Sequence, residues 1–303
     1  DIGPQEIMRR ADTALYHAKK TERSGLVTYC EHFDRMNAAR QEAIDQVRDA
    51  INDGRLFAGY MPIVELASGK TIGFEALMRL TSPTGEILTA SEVAPALLDP
   101  ILSRRIDLLM IEMVATEADA IAQAFPDLRF IAINATEADL MSRAFVDQLL
   151  DILERCSVPP GLLALEVTET MFSVEHARKI KAVLEELRSH GVRIALDDFG
   201  TGFSSLSHLR DFPIDKVKLD LSFVQRIEDD RQSRTIVQAM IGMARNMDIC
   251  VIAEGIETPE QRQILQLMQC EFGQGYLFGK AQDVAELTAQ LAPPARTPTS
   301  TRA

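Results

Sequence analysis

The sequence predicts an α/β fold, with a (β/α)8 barrel as the first choice, and two observations lead to this prediction. Short apolar runs alternate with helix-length segments along most of the 303 residues, which is the alternation of an α/β protein. Acidic or amide residues stand at the ends of these runs, and in a barrel the carboxyl ends of the strands meet on one face. An open doubly wound sheet is the second interpretation of the same pattern.

The first two strand candidates predict one exception to parallel order. Residues 56–64 and 71–80 are apolar runs separated by only a short segment. So short a link implies an antiparallel hairpin, because parallel neighbours need a crossover of a dozen residues or more. We therefore expect the first strand of the barrel to run antiparallel.

Six further apolar runs complete the predicted barrel, and helical segments separate most of them. The runs are near-continuous, as expected for strands covered on both faces. The predicted strands are 129–134, 162–169, 192–198, 216–220, 249–254 and 275–278. The predicted helices are 91–123, 137–156, 174–190, 231–246 and 259–268.

The residues before the barrel form a separate segment. Residues 4–20 predict a helix with Pro4 near its start, residues 26–29 a short strand, and residues 36–52 a connecting helix that Gly54 ends. Because the chain begins at Asp1 with no initiator Met, we expect it to be a piece of a longer protein. The expected divisions are an N-terminal segment at 1–33, a connecting helix at 34–53, the barrel at 54–290 and a Pro- and Thr-rich disordered tail at 291–303.

Composition excludes several classes of function. The formal net charge of -13 argues against a nucleic acid polymer as partner, since such binding needs a basic face, but it allows a small phosphate ligand. No apolar run is long enough to span a membrane, so we expect no membrane contact. The four cysteines, far apart and without a CxxC pair, fit a reducing cytoplasm: Cys30, Cys156, Cys250 and Cys270.

The residues at the strand ends predict a metal site. Glu75, Asn134, Glu166 and Asp197 belong to four successive barrel strands, and all offer oxygen ligands. Like charges brought together resist ionising unless something offsets them, and oxygen donors suit Mg²⁺ or Mn²⁺. All five histidines lie in helices or loops, which counts against zinc and iron centres.

Asp197 and Asp198 are the sharpest local signal. Neighbouring strand residues point to opposite faces, so two adjacent carboxylates can serve one site only if the strand ends there and the chain turns. Gly200, Thr201 and Gly202 would supply that turn, since glycine accepts a positive φ. Asp197 could then bridge two metal ions while Asp198 binds the second. The alternative is that Asp198 caps the following helix.

Four more polar residues follow the later strands. Lys218 could hold a water or neutralise charge on a phosphate, or it could form a structural ion pair with Asp220, two residues away on the same face. Glu254 could act as a ligand or general base, and Glu257 could orient its neighbours. Gln274, beside two glycines, could fix a water or Lys218.

Together these residues closely resemble the EAL-domain family of bacterial cyclic-di-GMP phosphodiesterases, over about residues 40–285. The resemblance is specific because many separate motifs occur in one order. They are Glu75-Ala76-Leu77-Met78-Arg79, Asn134, Glu166-Val167-Thr168-Glu169, Asp197-Asp198-Phe199-Gly200-Thr201-Gly202-Phe203-Ser204-Ser205-Leu206, Lys218-Leu219-Asp220, Ala253-Glu254-Gly255-Ile256-Glu257 and Gln274-Gly275-Tyr276.

The resemblance implies a TIM-like barrel that hydrolyses cyclic di-GMP to linear pGpG with two metal ions. It assigns the metal ions to Glu75, Asn134, Glu166, Asp197 and Asp198. It assigns the positioning or activation of water to Lys218 and Glu254, and it makes Glu75 catalytic as well. It implies substrate contacts for Leu77, Arg79 and Gln274. Supporting roles fall to Glu169, Asp220, Glu257, Gly200, Thr201 and Gly202, with Glu169 bracing a loop at 198–205 that is linked to a homodimer.

The N-terminal 33 residues resemble the end of a GGDEF domain, through Ala11-Asp12-Thr13-Ala14-Leu15-Tyr16-His17-Ala18-Lys19-Lys20. The GGDEF signature loop is absent, so this segment is not expected to make cyclic di-GMP. Three positions depart from the family pattern: Met61, Leu221 and Ala281. None removes a predicted metal ligand, and a lost polar contact would weaken substrate binding by about 1–3 kcal/mol.

Two other functions compete with hydrolysis. A degenerate member of the family would bind cyclic di-GMP without turnover, although the complete acidic set argues against this. Barrels with strand-end acids and a lysine also abstract protons beside carboxylates, as enolase-type enzymes do. The second aspartate and the Gly-Thr-Gly segment favour phosphate chemistry instead.

Overall fold

Strands and helices alternate along the computed structural model, which describes residues 3–20, 26–172, 175–200 and 205–289. Within those ranges the chain forms nine strands. They are β1 (Leu56–Glu65), β2 (Thr71–Thr81), β3 (Ile87–Thr89), β4 (Phe130–Asn134), β5 (Leu163–Thr168), β6 (Arg193–Phe199), β7 (Lys216–Leu219), β8 (Cys250–Ala253) and β9 (Phe272–Gln274).

Twelve α-helices occur in the same described ranges. None of them is both long and apolar enough to cross a membrane. They are α1 (Pro4–Lys20), α2 (Glu31–Asn52), α3 (Ala94–Leu97), α4 (Pro100–Ala124), α5 (Glu137–Leu140), α6 (Phe145–Arg155), α7 (Ala177–Ser189), α8 (Ser205–Asp211), α9 (Leu221–Val224), α10 (Arg231–Asn246), α11 (Pro259–Leu267) and α12 (Val284–Ala289).

The chain divides into two compact units, and the first comprises Asp1–Leu56 with Leu80–Ser103. Helix α1 has the bounds that the sequence predicts, and α2 begins five residues earlier than predicted. An Arg9 nitrogen lies 2.8 Å from an Asp34 carboxylate oxygen, which ties α1 to the start of α2. Residues 26–29 form no strand, so the short strand predicted there is wrong.

The second unit, Phe57–Arg79 with Arg104–Ala303, contains a closed eight-stranded barrel. Its strands are hydrogen-bonded in the order β1-β9-β8-β7-β6-β5-β4-β2, and β1 also pairs with β2. Strand β1 runs antiparallel to β9 and to β2, whereas the neighbours from β2 through β9 are parallel. The predicted barrel with an antiparallel first strand is confirmed, and the doubly wound sheet is excluded.

Local chemistry explains several element boundaries in this unit. Thr258 begins α11 with a capping box, in which its hydroxyl accepts from the Gln261 backbone and the Gln261 side chain bonds back, and Pro259 takes the first helical position. Helix α6 buries one face at helical spacing. That face comprises Phe145, Val146, Leu149, Ile152 and Leu153.

Three predicted elements differ from the structure: the helices expected at 91–123 and 137–156 are each two helices, and the last strand lies elsewhere. The single helix expected at 91–123 is two, α3 and α4, and the break precedes Pro100, which disfavours helical geometry in the residue before it. The final strand lies at Phe272–Gln274 and not at 275–278, which turns back toward Ile256 through the hydrogen bond from Leu277 N to Ile256 O, 3.0 Å long. Residues 291–303, expected to be a disordered tail, lie outside the described residues.

The barrel floor, at the amino ends of the parallel strands, is apolar. Aromatic and aliphatic side chains fill it, and small alanines leave them room, as in the packed interior of such barrels. The buried cluster comprises Ile63, Ile72, Phe130, Ala132, Ala164, Ile252 and Phe272, with Cys250 against it. The acidic side chains at the strand ends lie at the opposite, carboxyl end.

We predict that Gly275→Ala destabilises the barrel strongly. A β-carbon at this position would lie 2.2 Å from the Ile256 carbonyl oxygen and 2.3 Å from its nitrogen, and backbone atoms cannot move aside as a flexible side chain does. Overpacking typically costs about 1–3 kcal/mol, and we expect the upper end of that range in urea-unfolding measurements.

Gly242→Ala is the matched control, since nothing lies within 4 Å of a β-carbon there. It replaces a glycine inside α10 and should leave stability unchanged or raise it slightly. Equal stability of the two variants would contradict the steric explanation.

Candidate active site

The ammonium group of Lys218 lies at the centre of the candidate site. Its Nζ lies 2.8 Å from a Glu254 oxygen, 3.0 Å from Glu166 and 3.3 Å from both Glu75 and Asp197. The lysine side chain is only 1% exposed. Four carboxylates therefore share one buried ammonium, and the cluster carries excess negative charge.

Five different strands supply these groups. Glu75 lies in β2, Glu166 in β5, Asp197 in β6 and Lys218 in β7, and Glu254 follows β8 directly. Parallel order turns their carboxyl ends toward one face, and the closed barrel brings that face together around Lys218. The convergence predicted from the strand-end residues is thus present in the structure.

The two adjacent aspartates lie at a β-bulge. Leu196 pairs with Val217 and Phe199 with Leu219, so β6 carries one residue more than β7 over this stretch. Asp198 adopts the left-handed conformation, with φ 55. A bulge with a left-handed residue re-aims side chains, and it replaces the strand end that we expected here, since β6 continues to Phe199.

Two amides hold the Glu75 carboxylate in place. The Gln274 side chain donates to Glu75 Oε2 at 2.5 Å, and Asn134 Nδ2 donates to Glu75 Oε1 at 3.4 Å. Gln274 lies at the end of β9, beside the antiparallel β1, and it is buried. Hydrogen bonds of this kind favour the ionised carboxylate.

Burial and neighbouring charges shift the pKa values of this cluster in different directions. Burial raises the pKa of Glu166 well above its usual range, with further increases from Glu75, Asp197 and Glu254. Burial is also the main cause that raises the pKa of Glu254, to about 7. Burial opposes the charge of Lys218 as well, but the four carboxylates outweigh it and raise the pKa of that ammonium.

Glu75 is the acid of the cluster whose pKa is lowered. Burial acts to raise it, but Lys218 and the hydrogen bonds from Gln274 and Asn134 together outweigh burial. The pKa of Asp198, by contrast, is raised by burial and by Asp197. Glu75 therefore keeps its negative charge more readily than Glu166, Glu254 or Asp198, whose pKa values are raised.

The donor chemistry of the site fits a hard divalent cation. Every candidate ligand offers oxygen, and Glu166 Oε1 is buried without a hydrogen-bond partner among the described residues. The carboxylates nevertheless face Lys218: in the part of the chain that the structure describes, no three acidic, histidine or cysteine side chains meet as a ready-made metal cage.

Four other predicted site residues are not among the groups that contact Lys218. Leu77 and Arg79 share a face of β2 with Glu75 and lie progressively further along the strand, as alternation requires. Asp220 does not pair with Lys218; it caps α9 by accepting from Ser222 N at 3.0 Å. Glu257 is exposed, so its side chain is not brought into the cluster.

The segment after β6 is described only in part. Thr201 and Gly202 lie outside the described residues. Gly200 has φ 102, a conformation that favours glycine, and a β-carbon on it would lie 2.5 Å from Met240 Cε, at the end of a flexible side chain.

Glu169 has a neighbour that the sequence analysis missed. His208 Nδ1, on α8, lies 3.7 Å from Glu169 Oε1, and the His208 ring packs edge-on against Phe172 at 5.0 Å and Phe212 at 5.8 Å. The two residues are 39 positions apart on different elements, so only the tertiary fold reveals the pair.

A family model described as the EAL domain matches residues 44–281, which include every residue of the cluster around Lys218. The chain belongs to the EAL domain family. The resemblance found in the sequence motifs is thereby confirmed, and it covers both the barrel and the site.

Curated EAL relatives are similar over most of this chain. A protein of Pseudomonas aeruginosa named bifunctional diguanylate cyclase/cyclic di-GMP phosphodiesterase MucR is 33% identical over 290 residues, covering 95% of this chain and 42% of that protein. The cyclic di-GMP phosphodiesterase NbdA of the same organism is 31% identical, covering 93% and 36%. The chain thus spans about two fifths of the length of these relatives.

Solved EAL structures share the fold. The PaMucR phosphodiesterase in complex with c-di-GMP superimposes with a TM-score of 0.76 and 30% identity, covering 81% of this chain and 99% of that one. An EAL domain protein from Listeria monocytogenes EGD-e gives a TM-score of 0.71 and 29% identity, covering 81% and 96%. The similarity therefore extends across nearly the whole of each solved domain.

We predict that Lys218→Met lowers the free energy of unfolding by about 3–5 kcal/mol in metal-free buffer, because removing one partner of a buried ion pair leaves uncompensated charge. Urea denaturation monitored by circular dichroism measures this. Lys70→Met is the control, since Lys70 pairs with Asp127 on the surface and should leave the midpoint unchanged. Similar midpoints for both variants would show that Lys218 is not the group that offsets the acids.

Proposed function

We propose that this chain hydrolyses cyclic di-GMP to linear pGpG by attack of water on a phosphodiester. The observation that carries the proposal is the buried Lys218 ammonium surrounded by four carboxylates at the carboxyl face of an EAL barrel. The names of MucR and NbdA as cyclic di-GMP phosphodiesterases support it, as does the c-di-GMP complex of a structural relative.

We infer that the acidic residues hold Mg²⁺ or Mn²⁺, with two ions the preferred number. Glu75, Asn134, Glu166 and Asp197 would bind the first ion, and Asp197 with Asp198 the second. Bound cations would offset the excess negative charge of the cluster, lower the pKa of a bound water and stabilise charge on the phosphate oxygens. The bulge in β6 supports this division, because it changes the direction of Asp198 relative to Asp197.

The chain's own groups would then act on the water and the phosphate. Lys218 would hold the water or neutralise negative charge that develops on the phosphate. Glu254, 2.8 Å from Lys218 Nζ, would take up the proton of the water as general base. Gln274 and Asn134 would keep Glu75 ionised and correctly oriented through their hydrogen bonds.

Further roles follow the same interpretation. Arg79 and Leu77, on the Glu75 face of β2, would contact the substrate phosphate and base, and Gln274 would also lie within reach of substrate. Glu169 would brace the loop at 198–205, and we propose that this loop region forms a homodimer. Residues 1–33 would be the end of a GGDEF domain, and the site would work in the cytoplasm.

Glu75→Gln should abolish hydrolysis. The change keeps the size of the side chain but removes the negative charge, and with it a ligand of the proposed first metal ion. Product analysis by chromatography, with Mg²⁺ and with a chelator, measures pGpG formation by the wild type beside the variant.

Glu112→Gln, on the exposed face of α4, is the matched control and should retain full activity. Tight binding of cyclic di-GMP without pGpG after hours would identify a non-catalytic receptor instead. Hydrolysis by Glu75→Gln at the wild-type rate would contradict the assignment of the site. Activity on a carboxylate substrate alone would favour proton abstraction.

Calcium should inhibit the reaction that Mg²⁺ supports. Ca²⁺ is larger and takes six to eight loosely arranged oxygens, whereas Mg²⁺ requires near-octahedral geometry. Titrating Ca²⁺ into an assay at fixed Mg²⁺ should lower the rate in a way that excess Mg²⁺ reverses. Equal rates with either cation would argue against a metal that positions the attacking water.

A further inference from the structure

A second buried lysine lies at the opposite end of the barrel, where the proposed hydrolysis makes no use of it. Lys216 begins β7 and is 6% exposed. Its Nζ lies 4.4 Å from the centre of the Phe130 ring and 6.0 Å from that of Phe272. No hydrogen-bond acceptor, and no carboxylate within 4 Å, pairs with this amine among the described residues, in contrast to Lys218 two positions on.

Cys250 is the direct neighbour of Lys216. The two residues are register partners in the parallel pair β7–β8, and register partners point to the same side of a sheet. Lys218 and Ile252, the next such pair, face the barrel interior, so Lys216 and Cys250 do as well. Cys250 also packs against the cluster that contains Phe130 and Phe272, the two rings beside Lys216 Nζ.

Burial and neighbouring charges shift the pKa values of both groups. Burial lowers the pKa of Lys216, and Arg193 lowers it further, while Cys250, Asp215 and Glu271 oppose the shift. Burial raises the pKa of the Cys250 thiol, with Glu271 adding to the increase and Lys216 opposing it. A neutral amine is a nucleophile and a thiolate is readily oxidised, so alkaline pH, which deprotonates both groups, favours a reaction between them.

We propose that Lys216 and Cys250 form a peroxide-sensitive site in which oxidation joins the two side chains by a sulfur–nitrogen bond. Hydrogen peroxide oxidises the thiol to a sulfenic acid and is itself reduced to water. The lysine amine then attacks the sulfur, an S–N bond forms, and the hydroxyl leaves as a second water with the amine proton. Sulfenic acids condense with nitrogen in this way, and a thiol reductant would restore both side chains.

The bond would connect β7 to β8 at the barrel floor. Lys218 lies two residues after Lys216 in β7. Glu254 lies four residues after Cys250, directly beyond the end of β8. The site is independent of the proposed hydrolysis, since neither Lys216 nor Cys250 touches the cluster around Lys218. Peptide mapping can therefore test it whatever the outcome of the activity assay.

The test is mass spectrometry of the whole chain after millimolar hydrogen peroxide at pH 8.5, followed by alkylation of free thiols and proteolysis. We expect a linked peptide pair from β7 and β8, lighter than the two separate peptides by two hydrogens, or about 2 Da, and lost after dithiothreitol. Cys156→Ser, which removes a partly exposed cysteine elsewhere, should give the same linked pair.

Two variants of Lys216 distinguish the formation of a sulfur–nitrogen bond from the effect of a positive charge beside the sulfur. Lys216→Met and Lys216→Arg should both lack the linked pair, and Cys250 should instead accumulate sulfinic acid or react with added glutathione. Arginine keeps a positive charge beside the sulfur but is not a nucleophile. If Cys250 of the wild type is oxidised to sulfinic acid as fast as in Lys216→Met, with no linked pair, the proposal is wrong.

Discussion

The attraction between one buried ammonium and four carboxylates is the interaction on which the rest of the site depends. Placing that many acids in the mouth of a barrel costs free energy, since each loses water and repels the others. Lys218 offsets part of that cost from the middle of the group. Without it, the strands that carry the acids would bring together charges with nothing to oppose them except solvent or a cation.

The barrel makes this arrangement possible because its two ends have different chemistry. Aromatic and aliphatic side chains fill the floor and hold the strands at fixed separation. Lys218 and the four carboxylates around it occupy the carboxyl end, where the strands lead into loops. The antiparallel β1 completes the closure and places β9, with Gln274, beside it, so a strand that breaks the parallel order helps to position the amide that stabilises Glu75.

Much of this could be predicted from sequence, and the failures have physical causes. Apolar runs of strand length followed by Glu75, Glu166 or Asp197 were enough to predict the barrel and the convergence of the acids. The hub position of Lys218 was not predictable, because Asp220, two residues away, was an equally suitable partner on paper. Asp220 instead caps α9, and the partners of Lys218 lie 21 to 143 residues away in the sequence.

Contacts of long sequence separation also account for what was missed elsewhere. His208 and Glu169 meet only because α8 packs beside the segment after β5, and no local spacing signals this. The last strand was displaced in the prediction because Gly275-Tyr276-Leu277-Phe278 is apolar enough for a strand. Leu277 N donates to Ile256 O and Phe278 N donates to Gly275 O, so neither bonds to a neighbouring strand.

The extra residue in β6 interrupts regular pairing with β7, but it supplies a second carboxylate at the carboxyl end of the barrel. Deleting one codon of the Asp197-Asp198 pair would give β6 and β7 equal numbers of residues over this stretch and would release the left-handed backbone. The same deletion would leave a single carboxylate at this position. A lineage that lost its second aspartate would therefore gain a smoother strand, and selection for folding alone would not restore it.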